Sequence, residues 1–198
     1  KNYGIEVVCL LTNMDIPLGD NIGNAIEVKE AMEVLKGKTG NLRDLCIEIA
    51  TQMVRLDLNI SSKEAKEKVL DALQSGAAYR KFLEFVSAQG GVLSKLPTSN
   101  YSYAIKSDTA GYITNIDALA LGKLSMQLGA GRMNLGDQLD YGAGIILNKK
   151  VGDKVEVGDT LMTLYTSKEL NPQEISTESF LITDNPPKES PLIYQIME

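Results

Sequence analysis

The texture of the chain changes near residue 98, and this change limits what it can fold into. Ahead of it, apolar residues return at the three- and four-residue steps of amphipathic helices; Leu42, Leu45, Cys46, Ile49 and Met53 form one such stripe. Beyond it, short apolar runs such as Gly144-Ile145-Ile146-Leu147 and Thr160–Tyr165 are divided by glycine-bearing turns. Leu96-Pro97-Thr98-Ser99-Asn100 reads as the connector. The expectation is an α/β (α+β) chain with a mixed α/β part over residues 1–98 and a β-rich module over 99–198.

Within the first part, Ile5–Leu11 is short and almost continuously apolar, which predicts a strand covered on both faces. A loop with Pro17 and Gly19 follows, and a helix starts near Asn24 and stops at Lys36-Gly37-Lys38. Asn41 is the expected N-cap of a second helix. Ser61-Ser62-Lys63-Glu64 matches a capping box and opens a third, broken by Gly76. Tyr79, Phe82, Leu83 and Val86 line a fourth, stopped by Gly90-Gly91. In the second part, strands are expected at Tyr101–Ile105, Gly111–Ile113, Gly144–Leu147, Lys154–Val157, Thr160–Tyr165 and Leu192–Met197. Asp117–Leu128 reads as a short helix, and Pro172–Thr177 as a further helical turn or two.

Composition removes several kinds of chemistry. The 198 residues contain no histidine, so Ser-His-Asp triads, Cys-His pairs and His-based metal motifs are excluded. The net charge of −6 carries no basic cluster, which argues against nucleic acid as a partner. No apolar run approaches the roughly 20 residues that cross a bilayer, so no membrane partner is expected. Cys9 and Cys46 fall in strand-like and helix-like apolar patterns and read as buried free thiols, consistent with a reducing cytoplasm. The chain opens on Lys1, and a lone parallel-type strand needs neighbours that nothing nearby supplies. A piece of a longer protein is therefore expected.

Three constellations could carry function. The loop after the first strand, with Glu27 and Glu30 on the following helix, could offer the mixed carbonyl and carboxylate oxygens that hard cations take; the alternative is a plain turn with solvated glutamates. Leu128-Gly129-Ala130-Gly131-Arg132 invites a phosphate-loop reading, but it lacks a preceding buried strand and a G-K-[ST], so a close-packed turn fits better. Val151-Gly152-Asp153 and Gly158-Asp159 bracket a short strand in a hammerhead-like way, as in biotinyl and lipoyl carriers. Ser125-Met126-Gln127 has no lysine to modify, and Lys149-Lys150 lies at a strand end, so a scaffold without a prosthetic group is preferred. Asp137 and Asp140 are expected to be solvated in a glycine-rich turn.

Thr12-Asn13-Met14, Pro17-Leu18-Gly19 and Gly23-Asn24-Ala25-Ile26-Glu27-Val28 resemble a signature of the pyrimidine-nucleoside and thymidine phosphorylase family. Leu128–Arg132, followed by Leu139-Asp140-Tyr141-Gly142-Ala143-Gly144-Ile145, resembles that family's carboxyl-terminal module, with Leu139 and Ala143 as departures. Asn13 and Asn21 also depart from the residues the family usually has there.

The resemblance implies the carboxyl-terminal portion of a glycosyltransferase (pentosyltransferase) of pyrimidine salvage, ending in a module like a barrel-sandwich hybrid. The parent enzyme would split uridine, deoxyuridine or thymidine with phosphate, giving base and pentose 1-phosphate. It would be a cytoplasmic homodimer using a potassium ion. By resemblance, part of the ion's site maps onto the Leu18 and Asn21 carbonyls and the Glu30 carboxylate. The other ligands and the K-H-S phosphate segment would lie in an amino-terminal half. No catalytic or substrate-binding residue is expected in this chain, which should be structural and inactive alone. Its expected partners are that amino-terminal half and, in the parent, phosphate and a pyrimidine nucleoside. A stand-alone biotinyl/lipoyl-like module and part of a related phosphoribosyltransferase are the alternatives.

Overall fold

The computed structural model describes residues 4–197. Residues 1–3 and 198, the outer ends of the two expected domains, lie outside the described residues. The chain forms two compact units that share it unevenly: residues up to 13, 31–93 and from 190 onward in one, and 14–30 with 94–189 in the other. The change of texture at the connector is close to the crossing at 93/94. The division into 1–98 and 99–198 nevertheless differs in two segments, since 14–30 folds with the β-rich part and the final strand with the helices.

The first unit contains strand β1 (Cys9–Thr12), the carboxyl-terminal part of helix α1 (Ala25–Leu35), and helices α2 (Asn41–Leu58), α3 (Ser62–Gln74) and α4 (Ala77–Ala88). Leu45, Ile47 and Thr51 of α2 and Ala65 of α3 are buried along the α2–α3 contact. The capping box at α3 forms: the Ser61 hydroxyl accepts from Glu64 N–H, and the Glu64 carboxylate accepts from Ser61 N–H. The second helix differs from expectation at its start, where Gly40 takes the N-cap and Asn41 is already helical. Its stripe is also rotated, leaving Ile49, Met53 and Cys46 exposed while Ile47 and Gln52 turn inward.

The first strand is shorter than the apolar run and is neither parallel nor covered. Cys9–Thr12 pairs antiparallel with the last strand (Ile193–Met197), and Ile5, Val7 and Leu11 are 65%, 49% and 51% exposed. Among the described residues this ribbon has two strands only, and in the first of them exposed positions alternate with half-buried ones. The same geometry overturns the buried-thiol expectation: Cys9 and Cys46 are both free and exposed. Cys46 still borders an apolar groove with Val69 and Leu73, and desolvation there pushes its thiol pKa up.

The second unit is built from two antiparallel sheets, and neither closes into a barrel. One has the order β2 (Asn21–Gly23), β5 (Gly144–Leu147), β7 (Thr160–Thr166), β3 (Tyr101–Lys106). The other has β6 (Lys154–Val155), β4 (Gly111–Ile116) and β8 (Phe180–Thr183). Their apolar faces meet helix α5 (Ala118–Ser125) in one core, in which Ile113, Leu121, Ile145, Val155, Leu161 and Leu164 are fully buried. Two strands go beyond the sequence reading, β2 inside the expected loop and β8. The strand at 154 is shorter than expected, and the helical turn after Pro172 ends at Glu174.

Two Gly-Asp turns stitch this unit by the same device. Gly152 N–H donates to the Ile113 carbonyl and Ile113 N–H to that of Asp153; Gly158 N–H donates to the Ser107 carbonyl and Ser107 N–H to that of Asp159. Residues 107 and 113 are thus gripped by equivalent turns at 158 and 152, which leaves few unsatisfied backbone groups where the strands are shortest.

Candidate functional site

The segment from Gly19 to Glu30 is organised around one buried carboxylate. Glu30 is 5% exposed, and its two oxygens accept from Asp20 N–H at 2.9 Å and Asn21 N–H at 3.0 Å. Hydrogen bonds of this charge-assisted kind are about twice as strong as neutral ones. Gly19 is needed for close approach: a Cβ there would lie 2.5 Å from Glu30 Oε2. A side chain could enter only by displacing a carboxylate that is itself pinned by two amides.

The rest of the segment is tied to the module. Asp20 accepts through its carbonyl from Leu147 N–H at 2.7 Å, and its carboxylate pairs with Lys150 Nζ at 2.7 Å. The Asn21 side chain donates to the Ile26 carbonyl, Asn24 to that of Ala130, and Ala25 N–H to that of Tyr141. Glu27, exposed in the first turn of α1, accepts from Gly23 N–H at 2.8 Å and so caps the helix.

Of the three residues expected at a cation, Leu18 is half-buried in the loop, Asn21 opens β2 and Glu30 lies on α1. Asn21 and Glu30 meet through the Asn21 N–H, and Leu18 sits beside the glycine that packs on the carboxylate. Among the described residues, no three His, Cys, Asp or Glu side chains gather as a metal site. The cation reading therefore depends on carbonyl oxygens in addition to Glu30. Lys150 and Asp20 went unremarked as loop anchors in the sequence, because their pairing depends on a contact between β2 and β5.

The glycine-rich turn is a packing device. A Cβ on Gly131 would meet Met126 Cγ at 2.8 Å, and the Gly129 carbonyl accepts from Asp140 N–H at 2.9 Å. Asp140 is not solvated as expected; it is a hub. Its Oδ2 accepts from Ser167 N–H and the Ser99 hydroxyl, and its Oδ1 from Gly142 N–H. Burial alone would raise its pKa, but the hydrogen bonds from Ser167, Gly142 and Ser99 outweigh that and hold the carboxyl below its ordinary value. Asp137 likewise accepts from Met133 and Asn134 N–H. A cleft of about 300 Å³ beside them is bordered by Gln138, Ser167 and Lys168, and the Lys168 ammonium donates to the Gln127 carbonyl.

Neither lysine at the β5 end is a free swinging arm. Lys149 pairs with Asp159 at 2.9 Å and Lys150 with Asp20. Lys149 is also the main cause that lowers the Asp159 pKa.

Residues 112–179, most of the β-rich unit, match the pyrimidine nucleoside phosphorylase C-terminal domain. The chain is 38% identical, along its whole length, to the pyrimidine-nucleoside phosphorylase of Staphylococcus epidermidis, covering 48% of that protein. It is also 38% identical over 85% of its length to the enzyme of that name from Staphylococcus aureus, covering 41% of it. The chain is similar to the carboxyl-terminal half of those phosphorylases. It spans about half the length of the curated relatives it matches.

Proposed function

We propose that this chain is the carboxyl-terminal portion of a pyrimidine-nucleoside phosphorylase, a pentosyltransferase of pyrimidine salvage acting in the cytoplasm. The observation that carries the proposal is the identity sustained over the entire chain to relatives of that name. The whole protein would bind phosphate beside C1′ of uridine, deoxyuridine or thymidine and release the base and pentose 1-phosphate. Such a reaction is accelerated mainly by positioning the anion and by donors aimed at the charge on the departing base. The residues present here are suited to support that site. Their carboxylates are bound to backbone amides, and the glycines of the 128–132 turn are filled by packing.

In this reading the amino-terminal half of the same protein is the first partner, and the assembled enzyme is a homodimer. Glu30 with the carbonyls of Leu18 and Asn21 would form part of a potassium site, completed by the other half. Hard oxygen donors of this type suit an alkali cation, and the two backbone amides that Glu30 accepts from fix its carboxylate oxygens beside the loop. Potassium bound there would supply a positive charge at the sheet end.

The deciding assay is uridine phosphorolysis by this chain alone, and by the chain mixed with the amino-terminal half of the S. epidermidis relative. No turnover alone and turnover on mixing are expected. Turnover by the chain alone would overturn the assignment of a supporting role.

A further inference from the structure

We propose that Lys150 is a positioning residue for the Gly19–Asn21 segment, acting through Asp20, so that the first Gly-Asp turn of the module sets the loop that leads to Glu30. Asp20 is held through both its backbone and its side chain. Its N–H donates to Glu30 Oε1 at 2.9 Å, its carbonyl accepts from Leu147 N–H at 2.7 Å, and its carboxylate meets Lys150 Nζ at 2.7 Å. Leu147 closes β5, so a single strand end holds both the backbone and the side chain of Asp20.

Lys150 is fixed in turn. Its N–H donates to Asp153 Oδ2 at 2.7 Å, and Asp153 and Gly152 grip Ile113 of β4. A chain of bonds therefore runs from the second sheet, through the turn at 150–153, to the loop backbone and the Glu30 carboxylate. The pair is partly exposed, with side-chain exposures of 55% for Lys150 and 18% for Asp20. Such a pair contributes modestly, so it biases the loop without determining whether the unit folds. The link to cation binding rests on the function proposed above; the positioning itself does not.

The test is amide hydrogen exchange by NMR on the full chain in tetramethylammonium buffer, comparing wild type with K150M, K150R, D20N and D20N/K150M. K150M is expected to speed exchange at Asp20, Asn21 and Leu147 by up to about fivefold, the range of an exposed ion pair. The amides of the β3–β7 pairing in the same unit should be unchanged, K150R should restore most of the protection, and the double variant should go no further than D20N. Equal rates in wild type and K150M at those three amides would overturn the proposal. So would an equal acceleration in the β3–β7 amides, since that marks general loss of stability of the unit. Adding potassium chloride to the wild type separates the two ideas. Slower exchange at Asp20 and Asn21 supports the cation reading, and no change sinks that reading while leaving the positioning role intact.

Discussion

Asp140 shows how one side chain can hold distant parts of a small β-rich unit. Ser99 and Ser167, separated from it by 41 and 27 positions, both donate to its Oδ2. Because its folded pKa is depressed below 3.8, its contribution to stability is fully present above that value and is lost as pH falls through the folded pKa. D140N is expected to cost about 1 kcal/mol at neutral pH, since one acceptor oxygen is replaced by an amide group that cannot accept from the part-exposed donors. It should also flatten the acid side of the stability profile below pH 4, measured by urea unfolding across pH. An unchanged acid limb in D140N would place the titrating group elsewhere. The hub was not legible in the sequence, where Asp140 stands in a glycine-rich stretch with no nearby partner. Glu30 was legible only as a carboxylate of interest, because the amides that hold it belong to a loop whose path is fixed by the module.

Elements with a complete local signal are legible in the sequence, while some whose signal comes from a distant partner are not. The start of α3 is set by Ser61 and Glu64, three residues apart, and the sequence alone specifies that cap. S61A is expected to destabilise the chain by about 1 kcal/mol, seen as a lower urea midpoint with an unchanged slope. No shift in midpoint would show that tertiary packing alone holds that helix end. The α1 end at Leu35 and the α4 end at Ala88 also followed from local glycines. By contrast, β2 is three residues whose strand character comes from pairing Asn21 with Ile146 and Ile22 with Ile145. No local pattern announces such a strand. The helix at 41 also starts one residue earlier than its asparagine suggests, since Gly40 adopts the N-cap conformation with φ 141°.

At the scale of the whole molecule, sequence texture located the change from helices to strands but could not show that the units exchange segments. The first and last strands lie far apart in the chain and meet in one ribbon, a long-range pairing that periodicity does not encode. Among the described residues the outer edges of that ribbon pair with no further strand. Two-stranded ribbons are marginal in water, and an apolar edge with unpaired backbone groups is a template for pairing with another copy. Leu11 on one strand, and Ile196 and Met197 on the other, are 51%, 39% and 43% exposed, and Val7 just ahead of the ribbon is 49% exposed. The isolated chain is therefore expected to self-associate, with a weight-average mass in sedimentation equilibrium that rises with loading concentration. V7K/L11K places like charges on the ribbon and on the segment leading into it, and should return the mass toward that of a 21.5 kDa monomer. Adding the complementary half of a relative should suppress association of the wild type, because that half would compete for the same edge. A concentration-independent monomer mass for the wild type would show instead that the ribbon is satisfied as it stands, and the case for a partner along this edge would fall with it.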